Sequence, residues 1–176
     1  MNKKYEFTGE IKTWFGRTLY QIRATVKFGT VENGELGGWI EKEENLSQDG
    51  NAWVCDNAQV YGDAQVCDNA LVCDNAQVCG DAQVCDNARV CDNAQVCGQT
   101  HWLCTGPIGS RDDFTTFFRA KGAKIYVKCG CFRGDIDAFA LKIQATHGDG
   151  IHAKAYMAAI ELAKARIDLS GEDSEE

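Results

Sequence analysis

Residues 51–98 are eight consecutive hexapeptides, NAWVCD, NAQVYG, DAQVCD, NALVCD, NAQVCG, DAQVCD, NARVCD and NAQVCG, with no insertion between them. A repeat this short has no core of its own, so it specifies a stack in which each unit buries its apolar side against the next. A second period lies inside the first. From Ala58 onward the pair before each inward position is Asp-Asn, except at Gly62-Asp63, Gly80-Asp81 and Gly98-Gln99, which recur every 18 residues. Three hexapeptides therefore make one coil, and the coils stack as a triangular prism.

Each hexapeptide divides into a side and a corner. Ala-x-Val is a short strand whose Ala and Val face inward while the residue between them faces out, because side chains alternate along a strand. Ala recurs every sixth residue from Ala52 to Ala94, and Val from Val54 to Val96. These small residues fill a narrow interior. Asp-Asn and Gly-Asp make the corners, where left-handed or tight backbone suits Asp, Asn and Gly. No 3.6-residue stripe survives this spacing, which excludes a helical solenoid.

The Val-x-Asp-Asn-Ala-x pattern resembles the hexapeptide repeat of left-handed parallel β-helix proteins, with Cys where that repeat usually carries Gly or another small residue. The resemblance implies a left-handed helix of 18 residues per coil. Carried backward, the register places Leu36, Ile40, Leu46 and Ala52 inward but sets Lys42 and Gln48 on Val sites, an imperfect first coil. Carried forward, it puts Thr100 and Trp102 inward and ends near Cys104, giving slightly under four coils over residues 36–104. The chain is thus expected to be mainly β. Residues 1–35 read as an N-terminal β-hairpin or meander cap, and residues 105–167 as a small α+β C-terminal cap of a hairpin and two helices. Residues 168–176 read as an acidic tail. A short hexapeptide helix followed by GPIGSRDDFTTFFR and VKCGCF is similar to uncharacterised bacterial and phage proteins.

Charge and cysteine usage narrow the function. The net charge of −8 argues against direct nucleic-acid binding. No apolar run approaches a membrane span, and MNKKYEFTGE lacks the apolar segment of a signal peptide, so a cytoplasmic protein is expected. Seven of the ten cysteines occupy one hexapeptide position and stack outward as Cys55/Cys73/Cys91, Cys79/Cys97 and Cys67/Cys85. Their Cβ vectors run parallel, so reduced thiols are expected. Convergent His ligands are missing and no C-x-x-C pair occurs, so neither a metal nor another cofactor is expected.

Three readings of function follow. Residues 51–98 carry seven Asp against one Arg, stacked as acidic lines along the edges. Such lines suit a non-catalytic interaction or scaffold module, and a phage-encoded protein that binds and inhibits a host protein is one form of it. Trp53, Leu71 and Arg89 share one outer face and are candidate interface residues. Second, many proteins of the resembled family are acyltransferases that trimerise around an intersubunit histidine, which makes His101 the candidate catalytic residue here. Third, the Gly-rich turn with Gly109, Ser110 and Arg111 suits an anionic ligand, with Arg119 and Arg133 joining Arg111 if the hairpin folds back.

Overall fold

The computed structural model describes residues 3–170, so the end of the expected acidic tail, Glu172–Glu176, lies outside the described residues. The chain opens with β1 (Tyr5–Trp14), β2 (Arg17–Ala24) and β3 (Leu36–Ile40). Eight two-residue strands follow, one per hexapeptide. They are β4 (Trp53–Val54), β5 (Gln59–Val60), β6 (Gln65–Val66), β7 (Leu71–Val72), β8 (Gln77–Val78), β9 (Gln83–Val84), β10 (Arg89–Val90) and β11 (Gln95–Val96). Then come β12 (Trp102–Ile108), β13 (Asp113–Ala120), β14 (Lys124–Cys129), β15 (Phe132–Asp135), α1 (Ile136–His147) and α2 (Ile151–Arg166).

Three parallel faces build the prism. β3, β5, β8 and β11 form one, β4, β7 and β10 the second, and β6 with β9 the third, where Leu46 bridges to Val66. All eight Ala and all eight Val of the repeat are fully buried. Strands β4 to β8 each donate to the coil above: Trp53 N–H to the Ala70 carbonyl (2.9 Å), Gln59 to Ala76 (2.9 Å), Gln65 to Ala82 (2.9 Å). The corner Asp residues take left-handed backbone, with φ between 55° and 59° at Asp56, Asp68, Asp74, Asp86 and Asp92. Their carboxylates serve the next corner, as where Asp86 N–H donates to Asp68 Oδ2 at 3.2 Å. Asn side chains repeat the same trick, Asn51 to Asn69 (2.9 Å) and Asn69 to Asn87 (3.4 Å). At Gly80 (φ 61°) a Cβ would collide with the Cys97 carbonyl, which is why this corner carries Gly.

The first coil departs from the extrapolated register. Ile40 pairs with Val60 and Leu46 with Val66, a separation of 20 residues, whereas Trp53 pairs with Leu71 at 18. Two extra residues are thus absorbed between Leu46 and Trp53. Ile40 and Leu46 take Val sites, Lys42 and Gln48 move out of the interior, and Leu36 is exposed. The physical reason is plain: an ammonium and an amide have no partners inside an Ala/Val prism. Lys42 instead pairs with Asp63 (2.9 Å), and Gln48 accepts from Lys4 N–H (2.8 Å).

Both ends are covered. The β1–β2 hairpin adds antiparallel to β3 and so continues the first face. At the other end the coil stops at β11, short of Cys104, because Trp102 is too large for a Val site and leaves to pair with Phe118. Strands β12–β15 form an antiparallel sheet laid across the last coil, with Ala94 bridged to Ala120 and Lys121 N–H donating to the Asn93 carbonyl (3.2 Å). Phe118, Tyr126 and Trp102 pack on the prism, while Phe117, Ile125 and Val127 pack under α1 and α2. That division follows from strand alternation. One cysteine ladder departs from the expectation of reduced thiols: Cys79 and Cys97 are joined as a disulfide, their Cα atoms 4.3 Å apart. Adjacent coils on that face approach closely enough to close the bridge. Among the described residues no helix is long and apolar enough to cross a membrane.

If the corner aspartates serve conformation rather than charge, Asp68→Asn leaves stability nearly unchanged. Asp68→Ala lowers it by about 1–2 kcal/mol, the left-handed backbone penalty for a residue without a short polar side chain. Urea unfolding of the two variants distinguishes these outcomes.

Candidate functional site

The C-terminal unit holds an open pocket of about 270 Å³ built from four segments. The turn after β12 supplies Ser110 and Arg111, the β14–β15 turn supplies Cys129 to Phe132, α1 supplies Phe139, Lys142, Ile143 and His147, and α2 supplies Tyr156. Asp135 caps α1 by accepting from Ala138 N–H (2.8 Å), which fixes the helix start and hence the pocket wall. Phe139 is packed edge-on against Tyr156 (5.6 Å), and His147 stacks on the same phenol ring (5.9 Å). Thr115 Oγ1 donates to Cys129 Sγ (3.2 Å), whose sulfur lies 3.8 Å from the Tyr156 hydroxyl.

The electrostatics favour an anion. Arg111 and Lys142 bring two cations to the rim against one carboxylate, Asp113. Burial, then the neighbouring Cys129, pushes the Tyr156 phenol up to about 12, so at neutral pH it stays protonated and serves as a hydrogen-bond donor. Phe132, Phe139 and Ile143 give the pocket an apolar floor. Donors around an apolar floor are the makings of a recognition site.

The structure sorts the residues predicted from sequence. Ser110 and Arg111 line the pocket. Gly109 (φ 80°) is buried behind them, its α-carbon against the Tyr156 ring where any Cβ would collide, so it is a packing glycine rather than a ligand contact. Arg119 does not join Arg111; it is buried beside His101 and Asp168. Arg133 turns the other way, to Asp74 at 2.9 Å. The proposed interface residues separate as well. Trp53 is buried beneath Phe28 (ring centroids 5.4 Å), so the N-terminal segment covers it; Leu71 is half-buried and only Arg89 is exposed. Cys129, Lys142, His147 and Tyr156 were not read from the sequence. A signal existed in the spacing of Phe139, Lys142, Ile143 and Thr146, which share one helix face.

His101 is held structurally. Its Nδ1 accepts from Cys97 N–H (3.1 Å) at the end of the last coil, and α2 ties the same end down through Arg166 to the Gln99 carbonyl (2.9 Å). Burial, followed by the Arg119 charge, lowers the His101 pKa below its ordinary value.

With this geometry in place, the comparisons with known proteins bear on the coil. The YdcK β-solenoid repeat family matches residues 64–80 and 82–98. The chain is a parallel β-helix protein. It is also similar to the uncharacterized acetyltransferase YdcK of Escherichia coli (strain K12), with 45% identity over 49 residues. That match takes in 27% of this chain and 15% of the relative's length. The family match ends at residue 98, before the C-terminal unit that carries the pocket.

The His101 environment gives a pH signature. Its folded pKa is lowered, so the unfolded chain binds the proton first as pH falls below about 6.5, and stability present above that pH is lost on acidification. Urea midpoints between pH 7.5 and 5.5 are expected to fall for the wild type and to fall less for His101→Asn.

Proposed function

We propose that the protein is a non-catalytic binding module in which the β-helix is a rigid support and the C-terminal unit does the recognising. The observation that carries this reading is the convergence of Arg111, Lys142 and the Tyr156 hydroxyl around the Phe132, Phe139 and Ile143 floor. The chemistry suits a carboxylate joined to an aromatic or aliphatic body, held by charge-assisted hydrogen bonds at one end and by burial at the other. A protein partner presenting an acidic, apolar group would meet the same requirements, and an inhibitor of a host protein is one form such a module takes. The acidic edges add less support to that form, because the Asp56, Asp68 and Asp74 carboxylates each accept a backbone N–H from the next corner.

The acetyltransferase name of the similar protein motivates a second reading, a homotrimer acting through His101. With Nδ1 accepting from Cys97 N–H, the neutral ring carries its proton on Nε2 and has no free lone pair to act as a base, which favours the binding reading. A native mass of three chains together with acyl transfer that is lost in His101→Ala would reverse that preference.

Titration with phenylacetate, followed by amide NMR shifts, tests the pocket. We expect shifts at residues 109–113 and 129–132, and affinity roughly tenfold weaker in Arg111→Ala, the cost of one charge-assisted hydrogen bond. Shifts confined to the prism, or an Arg111→Ala variant that binds as well as wild type, would count against it.

A further inference from the structure

The stack of Cys55, Cys73 and Cys91 is independent of the pocket. These residues follow β4, β7 and β10 at the same position of three successive coils, so the parallel pairing of those strands superposes their sulfurs. In each of two overlapping groups, Cys55 with Asp56 and Cys73, and Cys73 with Asp74 and Cys91, the ligand atoms all lie within 4.8 Å of one another. Cys73 and Cys91 are buried and Cys55 is half-buried, which leaves an approach from the Cys55 end. Each buried sulfur has a carboxylate beside it, Asp74 at 3.5 Å from Cys73 and Asp92 at 3.4 Å from Cys91. Arg133 reaches across from β15 to Asp74 (2.9 Å) and Asp92 (3.9 Å), setting a fixed cation over this negative line.

The other ladders differ. Cys79 and Cys97 are already joined, and Cys67 with Cys85 offers two half-exposed thiols without a covering cation among the described contacts.

We propose that the Cys55/Cys73/Cys91 ladder is a binding site for copper(I), with Cys73 shared between two sulfur pairs. Thiolate sulfur selects soft cations of this class. Two metal–sulfur bonds of about 2.3 Å span up to about 4.6 Å, the scale of one coil step. Zinc fits less well, because it takes four ligands arranged tetrahedrally and a single line of sulfurs approaches from one side. Each thiol releases its proton to solvent as its metal–sulfur bond forms, with the adjacent Asp carboxylate as first acceptor, and the copper stays in the +1 state throughout. Arg133 offsets the negative charge that the thiolates bring.

The test uses the full chain with the Cys79–Cys97 disulfide kept intact, its mass confirming one bridge, stripped of metal and kept anaerobic. It is titrated with copper(I) against bicinchoninate as competitor, with near-ultraviolet thiolate-to-copper absorption as a second readout. The expected result is retained copper and an affinity roughly 100-fold lower in Cys73→Ser, which breaks both sulfur pairs, with Cys67→Ser and Cys131→Ser unchanged. Copper(I) is also expected to shield Cys55, Cys73 and Cys91 of the wild type from N-ethylmaleimide, a readout that holds even if Cys73→Ser fails to fold. Cys55 alkylated at the same rate with and without copper(I) would overturn the proposal. So would equal loss of binding in Cys67→Ser, or zinc held in preference to copper(I) in the same competition.

Discussion

The backbone hydrogen bond from one coil to the next is the interaction on which the rest of the structure depends. It runs from an N–H to a carbonyl 17 residues later, at 2.7–3.0 Å from Asn51 through Cys79, and that constant spacing requires coils of equal length; the longer first coil keeps the bond at a spacing of 19, as from Trp39 N–H to the Ala58 carbonyl at 2.9 Å. That requirement sets the corners. Each must reverse direction within two residues, which forces left-handed backbone at its first position and selects Asp or Gly there. The interior then has room for Ala and Val and little else, since adjoining faces lie close together. The first coil shows the same constraint from the other side: two surplus residues are gathered between Leu46 and Trp53, so that Lys42 and Gln48 stay out of the Val sites.

A stack of this kind has two open ends, each a row of unpaired backbone groups. The chain spends its flanking segments there. The hairpin extends the first face, and the C-terminal sheet lies across the last coil with Phe118 below and Phe117 above. Sealing the end is also what builds the pocket. Once β13 is fixed on the prism, its neighbours bring the turn carrying Arg111 and the turn carrying Cys129 to the same edge, and α1 and α2 close over them. The pocket is thus a by-product of capping a solenoid.

How much of this was legible in the sequence divides along the same line. The prism, its three faces, the inward Ala and Val and the corner residues follow from a period that repeats without error. Both helices were also legible, from their stripes and from the glycines between them. The register of the first coil was not, because a two-residue insertion leaves no mark where the repeat has already decayed. The pocket was half legible. Ser110 and Arg111 stand out in a Gly-rich turn, but Lys142 and Tyr156 reach them only through the packing of helices on a sheet. Arg119 and Arg133 went to other partners for the same reason: Arg133 meets Asp74 across 59 residues of chain, a distance that no local pattern encodes.

Hydrogen exchange of the intact protein, resolved to peptides by mass spectrometry, tests the central claim most directly. A rigid β-helix supporting a more adaptable recognition unit predicts that amides of residues 53–79 exchange slowest and together, since they donate either to a neighbouring coil or, as at Ala58, Ala70 and Ala76, across a corner of their own coil. Residues 109–113 and 129–132, at the pocket turns, are predicted to exchange much faster. Coils that exchange one by one, or pocket turns protected as strongly as the prism, would contradict the account.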